Sequence, residues 1–303
     1  MNKLPYYYDK LWKEHEIEYL QFNGYKYIED LSYKKDNCKS IILLFKYNDD
    51  FILRGYGDGI IFPLINNFDI NNINYKNRKK ELKKIYNYII DICKKYDIKN
   101  TKLYMNYYYS FLLNHSLFSI IEVENKQILS LCHYNNNFDK NYNPLKNMKR
   151  RTQNYINKYL KKKTFNDIKI NIYFGSIPDN VMDNFIKKHF ILAGKKTKSD
   201  ECWDILKNFI IQKKAILVEG NNNYIHYFIS DNYCYYSINA CDKKSDICSI
   251  LLYEGMKWIF NNGYNFINFG NSDLFYDNEK MINIQKYKKG LCNKIFTNYY
   301  VDL

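Results

Sequence analysis

The 303-residue sequence has little glycine and proline, no long apolar run and no apolar N-terminal segment. Eleven Gly and four Pro are too few for a linker-rich or collagen-like chain, and 46% hydrophobic residues suffice for a large core. The longest uninterrupted apolar runs are about as short as Ile41–Phe45. A transmembrane helix needs roughly 20 apolar residues, so we expect no transmembrane segment. The lack of a signal peptide predicts a cytoplasmic protein.

Arginine is scarce although the chain is strongly basic. Lys and Arg total 46 against 32 Asp and Glu, a net charge of +14, and only four of the basic residues are arginines. The abundance of Lys, Asn, Ile and Tyr is typical of AT-rich codon usage, which alone supplies lysines without a binding role. The adjacent Arg150 and Arg151 are therefore notable, because a guanidinium binds phosphate or carboxylate through two hydrogen bonds. The basic balance permits a nucleotide, tRNA or lipid surface as partner.

None of the eight cysteines lies in a C-x-x-C motif or at zinc-finger spacing from a histidine. Cys234, Cys241 and Cys248 are seven residues apart, but the segments between them are predicted as strand, loop and helix start. We therefore expect no metal site. Reduced thiols, buried or half-exposed, are expected in a cytosolic compartment.

The hydrophobic pattern predicts an α/β (α+β) chain of two lobes, each with a mixed, mainly antiparallel sheet flanked by helices. Residues 1–135 form the predicted N-terminal lobe, the polar segment 136–147 a linker, and 148–303 the C-terminal lobe. Helices are predicted in the following ranges: 11–22, 79–96, 145–163, from 178, 200–213 and 247–261. Strands are predicted in the following ranges: 40–47, 51–55, 101–108, 168–174, 214–219, 224–230, 233–241, 264–269 and 293–301. A short helix is expected before the last strand.

Four segments of residues 120–300 share order and spacing with the motifs of a known family. They are Lys149–Ile156, similar to RR-x-x-x-I; His189–Ser199 with Trp203, similar to H-x-x-x-A-G-R-x-T-R-S…W; Tyr235–Ala240, similar to Y-Y-x-x-x-A; and Asn268–Gly270 with Tyr287–Gly290, similar to D-F-G and F-K-x-G. This pattern resembles the FemAB-like branch of the GNAT acyltransferase superfamily, which acts in cell-envelope and surface-polysaccharide pathways. Asn268 replaces the usual acid and Tyr287 the usual Phe. The pyrophosphate loop R/Q-x-x-G-x-G/A of acetyl-CoA GNATs is absent.

The resemblance implies a GNAT-like fold in both lobes, with a C-terminal acyltransferase domain. It implies an N-acyltransferase that moves an acyl or aminoacyl group from acyl-CoA (acetyl-CoA included, hence an N-acetyltransferase) or from aminoacyl-tRNA. The implied acceptor is an amino group of an amino-sugar nucleotide or a peptidoglycan-type precursor. No G-x-S-x-G motif occurs, so we expect direct attack without a covalent acyl-enzyme.

The resemblance gives Lys288 and His189 catalytic roles. Lys288 would stabilise the oxyanion or hold the donor phosphate or the acceptor, and the alternative is a solvated lysine in the basic run 285–289. His189 would act as a general base or an acceptor contact. The alternative is a core histidine, because it shares an apolar helix face with Phe185.

Binding roles fall on two further sets of residues. Substrate binding is implied for Arg151, Arg150, Lys195, Trp203 and Tyr236. In the GNAT topology that the resemblance implies, the start of the helix 247–261 faces the donor's pyrophosphate, so donor binding is expected through Ser245, Asp246 and Ile247, where a helix N-terminus favours an anion. Ser245 and Asp246 are alternatively simple helix caps.

Two other functions stay open at this point. Transfer from aminoacyl-tRNA is disfavoured by the lack of a long charged heptad segment and favoured by the positive charge. A catalytically inactive GNAT-like module that binds nucleic acid or an anionic surface is the second alternative. The steep salt dependence of phosphate binding distinguishes it.

Overall fold

The structure is a computed structural model, and it describes the following residues: 9–35, 38–55, 59–61, 64–65, 75–104, 128–137, 143–148, 150–161, 168–230, 233–242, 247–273, 279–292 and 294–302. Helices α1 to α7 span Lys10–Phe22, Tyr75–Lys95, Arg150–Leu160, Asp179–Ala193, Asp200–Ile211, Ile247–Asn261 and Glu279–Lys289. Strands β1 to β8 span Lys26–Asp30, Tyr33–Lys35, Cys38–Ser40, Leu43–Tyr47, Asp50–Arg54, Gly59–Ile61, Leu64–Ile65 and Lys102–Tyr104. Strands β9 to β15 span Ile128–Asn137, Ile170–Tyr173, Ala215–Gly220, Asn223–Ile229, Tyr233–Ala240, Phe266–Asp273 and Lys294–Asp302.

The chain divides into two compact units, one of residues 1–131 with 297–303 and one of residues 132–296. In the first unit, β1, β4 and β5 form one antiparallel sheet and β2, β3 and β7 form another. Strand β8 pairs in parallel with β6 and antiparallel with the end of β15. Helix α2 places Ile85, Ile89 and Ile92 on one face, where they share a core with Ile42 and Leu44.

The second unit is built on a mixed sheet with an antiparallel meander. Strands β10, β11, β12 and β13 are successive antiparallel neighbours, β14 pairs in parallel with β13, and β9 lies next to β14. Helix α6 packs on β11 and β12, α5 on β11, and α4 on β12 and β13. Side chains of α4, α5 and α6 therefore pack against strands β11 to β13.

Helix α6 approaches the sheet closely because it lacks a side chain at Gly255. A Cβ atom there would lie 3.0 Å from the ring of Tyr227, which is fully buried on β12. Leu251 and Met256 of the same helix have no exposed surface and join Ile216 of β11 in the core. Burial of each such side chain stabilises the unit by about 1.5–3 kcal/mol.

The predicted α/β fold class with antiparallel and mixed sheets is confirmed. The start predicted for the helix 145–163 is wrong, because a 3-10 helix at Pro144–Asn147 precedes it and α3 begins at Arg150. Met148 between them is extended, with φ −85° and ψ 151°. The Gln153 side chain fixes this break, since its Nε2 donates to the carbonyl oxygens of Leu145 (2.8 Å) and Met148 (2.9 Å). Strand β9, which ends in the Asn-rich segment at Asn137, was not predicted from the sequence.

Candidate active site

The site begins where the parallel pairing of β13 and β14 ends. Among the described residues, that pairing covers three positions, and the last joins Tyr235 to Asn268. Beyond it, β13 continues to Ala240 on β12, and β14 continues to Asp273. The carboxyl ends of parallel strands are a common place for ligands in α/β proteins, because backbone groups there have no strand partner.

A tight turn shapes β14 just past this point. The Oδ1 atom of Asn268, a residue that is 3% exposed, accepts a hydrogen bond of 2.6 Å from the N–H of Gly270. Gly270 has φ +84°, a conformation that residues with a Cβ atom rarely adopt. Asn268 stands where the family motif has an acid. Its amide oxygen supplies the same acceptor without burying a negative charge.

Lys288 of α7 reaches this turn. Its Nζ atom lies 3.2 Å from the position that a Cβ atom would take on Gly270, and the Tyr235 hydroxyl lies 3.4 Å from the same position. Burial lowers the pKa of Lys288. Lys286 and Lys289 are exposed, whereas Lys288 is half-buried, so the basic run contains one lysine that differs from the others.

A cluster of thiols and phenols lies one residue from Lys288 along α7. The hydroxyl groups of Tyr236 and Tyr287 hydrogen-bond, and the Tyr287 hydroxyl lies 3.5 Å from the Cys248 sulfur. Tyr287 is 37% exposed as a residue, but its hydroxyl faces this cluster, and burial raises the pKa of both phenols. The cluster joins Tyr236 of β13, the start of α6 and the residue before Lys288. Tyr236 thus contacts the residue that precedes Lys288.

The predicted donor-binding residues lie at the start of α6. Ser245 and Asp246 fall outside the described residues, and the side chain of Ile247 is 4% exposed and packs in the core. The Ile247 side chain is thus part of the core. Cys248, the second residue of the helix, provides the polar side chain at this end.

His189 and Trp203 meet at a separate pocket on α4 and α5. Their rings touch edge to face with centroids 5.2 Å apart, and the Thr197 hydroxyl lies 3.4 Å from Nδ1 of His189. A cavity of about 170 Å³ is lined by Ile186, Lys187, His189, Phe190, Lys196, Thr197 and Trp203. Trp203 is 3% exposed, so it serves the core and the pocket at once, and Lys195 is exposed on the loop beside it.

The imidazole of His189 is neutral at physiological pH. Burial, together with the positive charge of Lys198, lowers its pKa from 6.5 to about 4. The Lys198 ammonium lies 5.4 Å from the centre of the Trp203 ring. A neutral imidazole with this pKa is a weak base near pH 7, which favours the acceptor-contact role over the general-base role.

Arg150 and Arg151 form the first turn of α3. Both side chains are exposed, and the guanidinium of Arg151 lies 5.8 Å from the ring centre of Tyr155, one turn along the same helix. The N-terminus of a helix favours an anion, because its first backbone N–H groups have no intrahelical acceptor. The two guanidinium groups add positive charge at the same end. The basic pair thus has the chemistry predicted for a phosphate clamp.

Sequence reasoning did not identify Tyr235, Gly270 and Cys248 as site residues. Tyr235 and Gly270 lie inside the matched motifs, but their contact with Lys288 depends on strand pairing between distant segments. Cys248 had a sequence signal, because a cysteine in the first turn of a helix experiences the positive end of the helix dipole. Among the described residues, no group of three His, Cys, Asp or Glu residues is arranged to hold a metal ion.

The fold is similar to three solved structures at low sequence identity. FemX matches with a TM-score of 0.62 and 12% identity over 99% of this chain and 92% of FemX. L-PGS from Bacillus licheniformis matches with a TM-score of 0.57 and 9% identity over 99% of this chain and 92% of that chain. A C-terminal domain assigned to lysylphosphatidylglycerol synthetase in Agrobacterium fabrum matches with a TM-score of 0.60 and 9% identity over 95% and 87% of the two chains.

Neither a protein-family model nor a curated protein matches the sequence. No helix in the described part of the chain is both long enough and apolar enough to cross a bilayer. At identities of 9–12% the three likenesses establish the fold. They confirm the predicted resemblance at the level of the fold: this chain has the fold of FemX and L-PGS.

Proposed function

We propose that the chain is an N-acyltransferase that moves an acyl or aminoacyl group from an activated donor to an amino group of a cell-envelope or surface-glycan precursor. The observation that carries the proposal is the half-buried Lys288, which lies against the left-handed Gly270 where the parallel pairing of β13 and β14 ends. A half-buried ammonium group at the end of a pair of parallel strands is suited to an anionic or polarised group.

In this proposal, Lys288 stabilises the developing oxyanion. The acceptor amine attacks the donor carbonyl, a C–N bond forms, and negative charge accumulates on the carbonyl oxygen. The ammonium group of Lys288 donates a hydrogen bond to that oxygen, and the interaction strengthens as the charge grows. The tetrahedral intermediate then expels the CoA sulfur or the ribose oxygen of tRNA, and the proton lost by the amine nitrogen goes to that leaving group, which departs as a thiol or a hydroxyl. No protein nucleophile is needed, in keeping with direct attack.

Donor and acceptor are assigned to different parts of the second unit. The start of α6, at the positive end of the helix dipole, and the exposed Arg150 and Arg151 are suited to the phosphates of acyl-CoA or aminoacyl-tRNA. The cavity beside His189 and Trp203 is suited to an acceptor, because it combines apolar walls with a neutral imidazole and lysines. The name of lysylphosphatidylglycerol synthetase, one of the similar folds, describes an aminoacyl lipid, which supports an envelope acceptor.

A donor and acceptor screen read by mass spectrometry tests the proposal. Acyl-CoAs and charged tRNAs are each incubated with amino-sugar nucleotides and peptidoglycan-type precursors. We expect the full-length chain to form an N-acylated product and Lys288→Met to form far less, with Lys289→Met as the matched control. Product formation that is equal in all three proteins would contradict the role of Lys288. Tight tRNA binding without transfer, lost steeply with salt, would favour the inactive binding module.

A further inference from the structure

Two cysteines meet where the chain passes from β13 to α6. Cys241 directly follows β13, and Cys248 is the second residue of α6. The Asn239 side chain links them, because its Oδ1 accepts from the Cys241 N–H at 3.0 Å and its Nδ2 donates to the Cys248 sulfur at 3.2 Å, and neither residue is in a disulfide. The two cysteines belong to different elements, so their seven-residue spacing does not predict that they are close in the fold.

The two thiols differ in exposure and in partners. Cys241 is 8% exposed, and its S–H has two acceptors in reach, the Cys248 sulfur and the Tyr224 carbonyl oxygen at 3.6 Å. Cys248 is half-buried and accepts a hydrogen bond of 3.2 Å from Nδ2 of Asn239. The hydroxyl of Tyr287 is a further donor for the same sulfur, at 3.5 Å.

These contacts favour negative charge on one sulfur and disfavour it on the other. The hydrogen bond from Cys241 lowers the pKa of the Cys248 thiol, with help from Tyr287 and Asn239 and against the effect of burial. The same hydrogen bond, together with burial, raises the pKa of Cys241. The reachable sulfur is thus the nucleophile, and the buried sulfur is its neutral neighbour.

We propose that Cys241 and Cys248 form a dithiol site that reacts reversibly with small-molecule disulfides such as glutathione disulfide. The Cys248 thiolate attacks one sulfur of the small disulfide, which forms a mixed disulfide and releases one thiolate. Cys241 then attacks the Cys248 sulfur, forms the Cys241–Cys248 bond and releases the second thiolate, which takes up the Cys241 proton. The first released thiolate takes up the proton that left Cys248 when its thiolate formed, so the neutral dithiol loses two electrons and two protons and the small disulfide becomes two thiols.

Oxidation at this site would alter the surroundings of Lys288. The Cys248 sulfur contacts Tyr287, the residue before Lys288, and the disulfide replaces the thiolate that accepts from the Tyr287 hydroxyl. A change in transfer rate on oxidation rests on the proposed function. Formation of the disulfide does not, and its detection is therefore independent of any activity.

The test maps disulfides by peptide mass spectrometry after the reduced full-length protein is incubated with glutathione disulfide and the remaining thiols are alkylated. We expect one Cys241–Cys248 linkage, the loss of two titratable thiols, and recovery of both with dithiothreitol. Cys241→Ser should stop at a glutathione adduct on Cys248, and Cys248→Ser should leave Cys241 alkylated. Cys292→Ser is the matched control, because this half-buried thiol has a raised pKa and should not affect the linkage.

Three results would overturn the proposal. One is a glutathione adduct on Cys248 that persists while Cys241 is intact. Another is equally fast modification at Cys93 or Cys292, which would remove any preference for the pair. The third is the complete absence of reaction at Cys248. Circular dichroism of both serine variants establishes that they are folded before their thiols are compared.

Discussion

The Nζ atom of Lys288 lies 3.2 Å from the place that a Cβ atom would take on Gly270. The lysine therefore occupies space that any other residue at position 270 would contest. Gly270 also has φ +84°, held by the hydrogen bond from its N–H to the Asn268 side chain. The turn on β14 and the ammonium group of α7 are thus fitted to one another, and the next two predictions test that fit.

Gly270→Ala should lower kcat by about tenfold to 100-fold, because a displacement of about 1 Å at a catalytic group has effects of that order. The left-handed backbone should also cost about 1–2 kcal/mol in unfolding free energy. Gly263→Ala is the matched control, since Gly263 has φ +83° and no atom within 4 Å of the added Cβ. Steady-state kinetics and urea unfolding measure both. Equal kcat values for the two variants would remove the steric link to Lys288.

Asn268→Ala should lower the free energy of unfolding by about 1–3 kcal/mol, because it leaves the buried N–H of Gly270 without an acceptor. Asn268→Asp keeps an acceptor oxygen and restores the acid of the family motif. We therefore expect the aspartate variant to turn over within a few-fold of the parent protein and the alanine variant to lose more. Lower turnover by the aspartate variant than by the alanine variant, measured in the same transfer assay, would show that Asn268 does not act through its hydrogen bond to the Gly270 N–H.

Protonation of His189 should destabilise the fold. Its pKa is about 4 in the folded protein and 6.5 in its ordinary state, so the unfolded chain binds the proton first as the pH falls. This stability contribution is present above pH 6.5 and is lost progressively towards pH 4. Urea unfolding followed by Trp fluorescence should show a smaller loss between those limits for His189→Gln than for the parent. Identical pH dependence of the two proteins would mean that His189 is not held neutral.

Arg151→Ala should weaken binding of the anionic donor by about tenfold, because hydrogen bonds to charged groups contribute about 1.5–3 kcal/mol. Lys161→Ala, an exposed residue just past the end of the same helix, should change the affinity by less than about twofold. Isothermal titration of an acyl-CoA or a tRNA measures both. Equal effects of the two substitutions would show that Arg151 is an exposed helix residue without a specific role in donor binding.

The sequence predicted those parts of the fold that follow from local periodicity. The hairpin of β4 and β5, the three strands β11 to β13 and the helix α6 all lie close to their predicted ranges. The range predicted for helix α3 begins too early. Apolar spacing does not show that Met148 is extended or that the Gln153 amide donates a hydrogen bond to its carbonyl oxygen. A side chain that bonds to backbone in the preceding segment is a tertiary effect, and residue spacing does not contain it.

The candidate site was predictable only through its motifs. The resemblance identified Lys288 and Tyr236, but their contacts with Gly270 and Tyr287 arise from strand pairing and helix docking across tens of residues. The neutral state of His189 depends on burial and on Lys198, neither of which a motif encodes. Cys241 and Cys248 are evenly spaced in the sequence with Cys234, but their contact through Asn239 depends on how the end of β13 meets the start of α6.

The most direct test of the central claim is the single-turnover rate of acyl transfer as a function of pH for the parent, Lys288→Met and Lys289→Met. Methionine keeps the apolar stem, so the fold should persist, and loss of one oxyanion donor should reduce the rate by about 100- to 1000-fold. The parent rate should fall at high pH with a midpoint below the ordinary lysine value of 10.5, because burial lowers the pKa of Lys288 and only its protonated form donates to the oxyanion.

We expect that alkaline fall to be absent in Lys288→Met and unchanged in Lys289→Met. Equal rates for all three proteins, or a parent rate that rises with pH through the same range, would contradict an oxyanion role for Lys288.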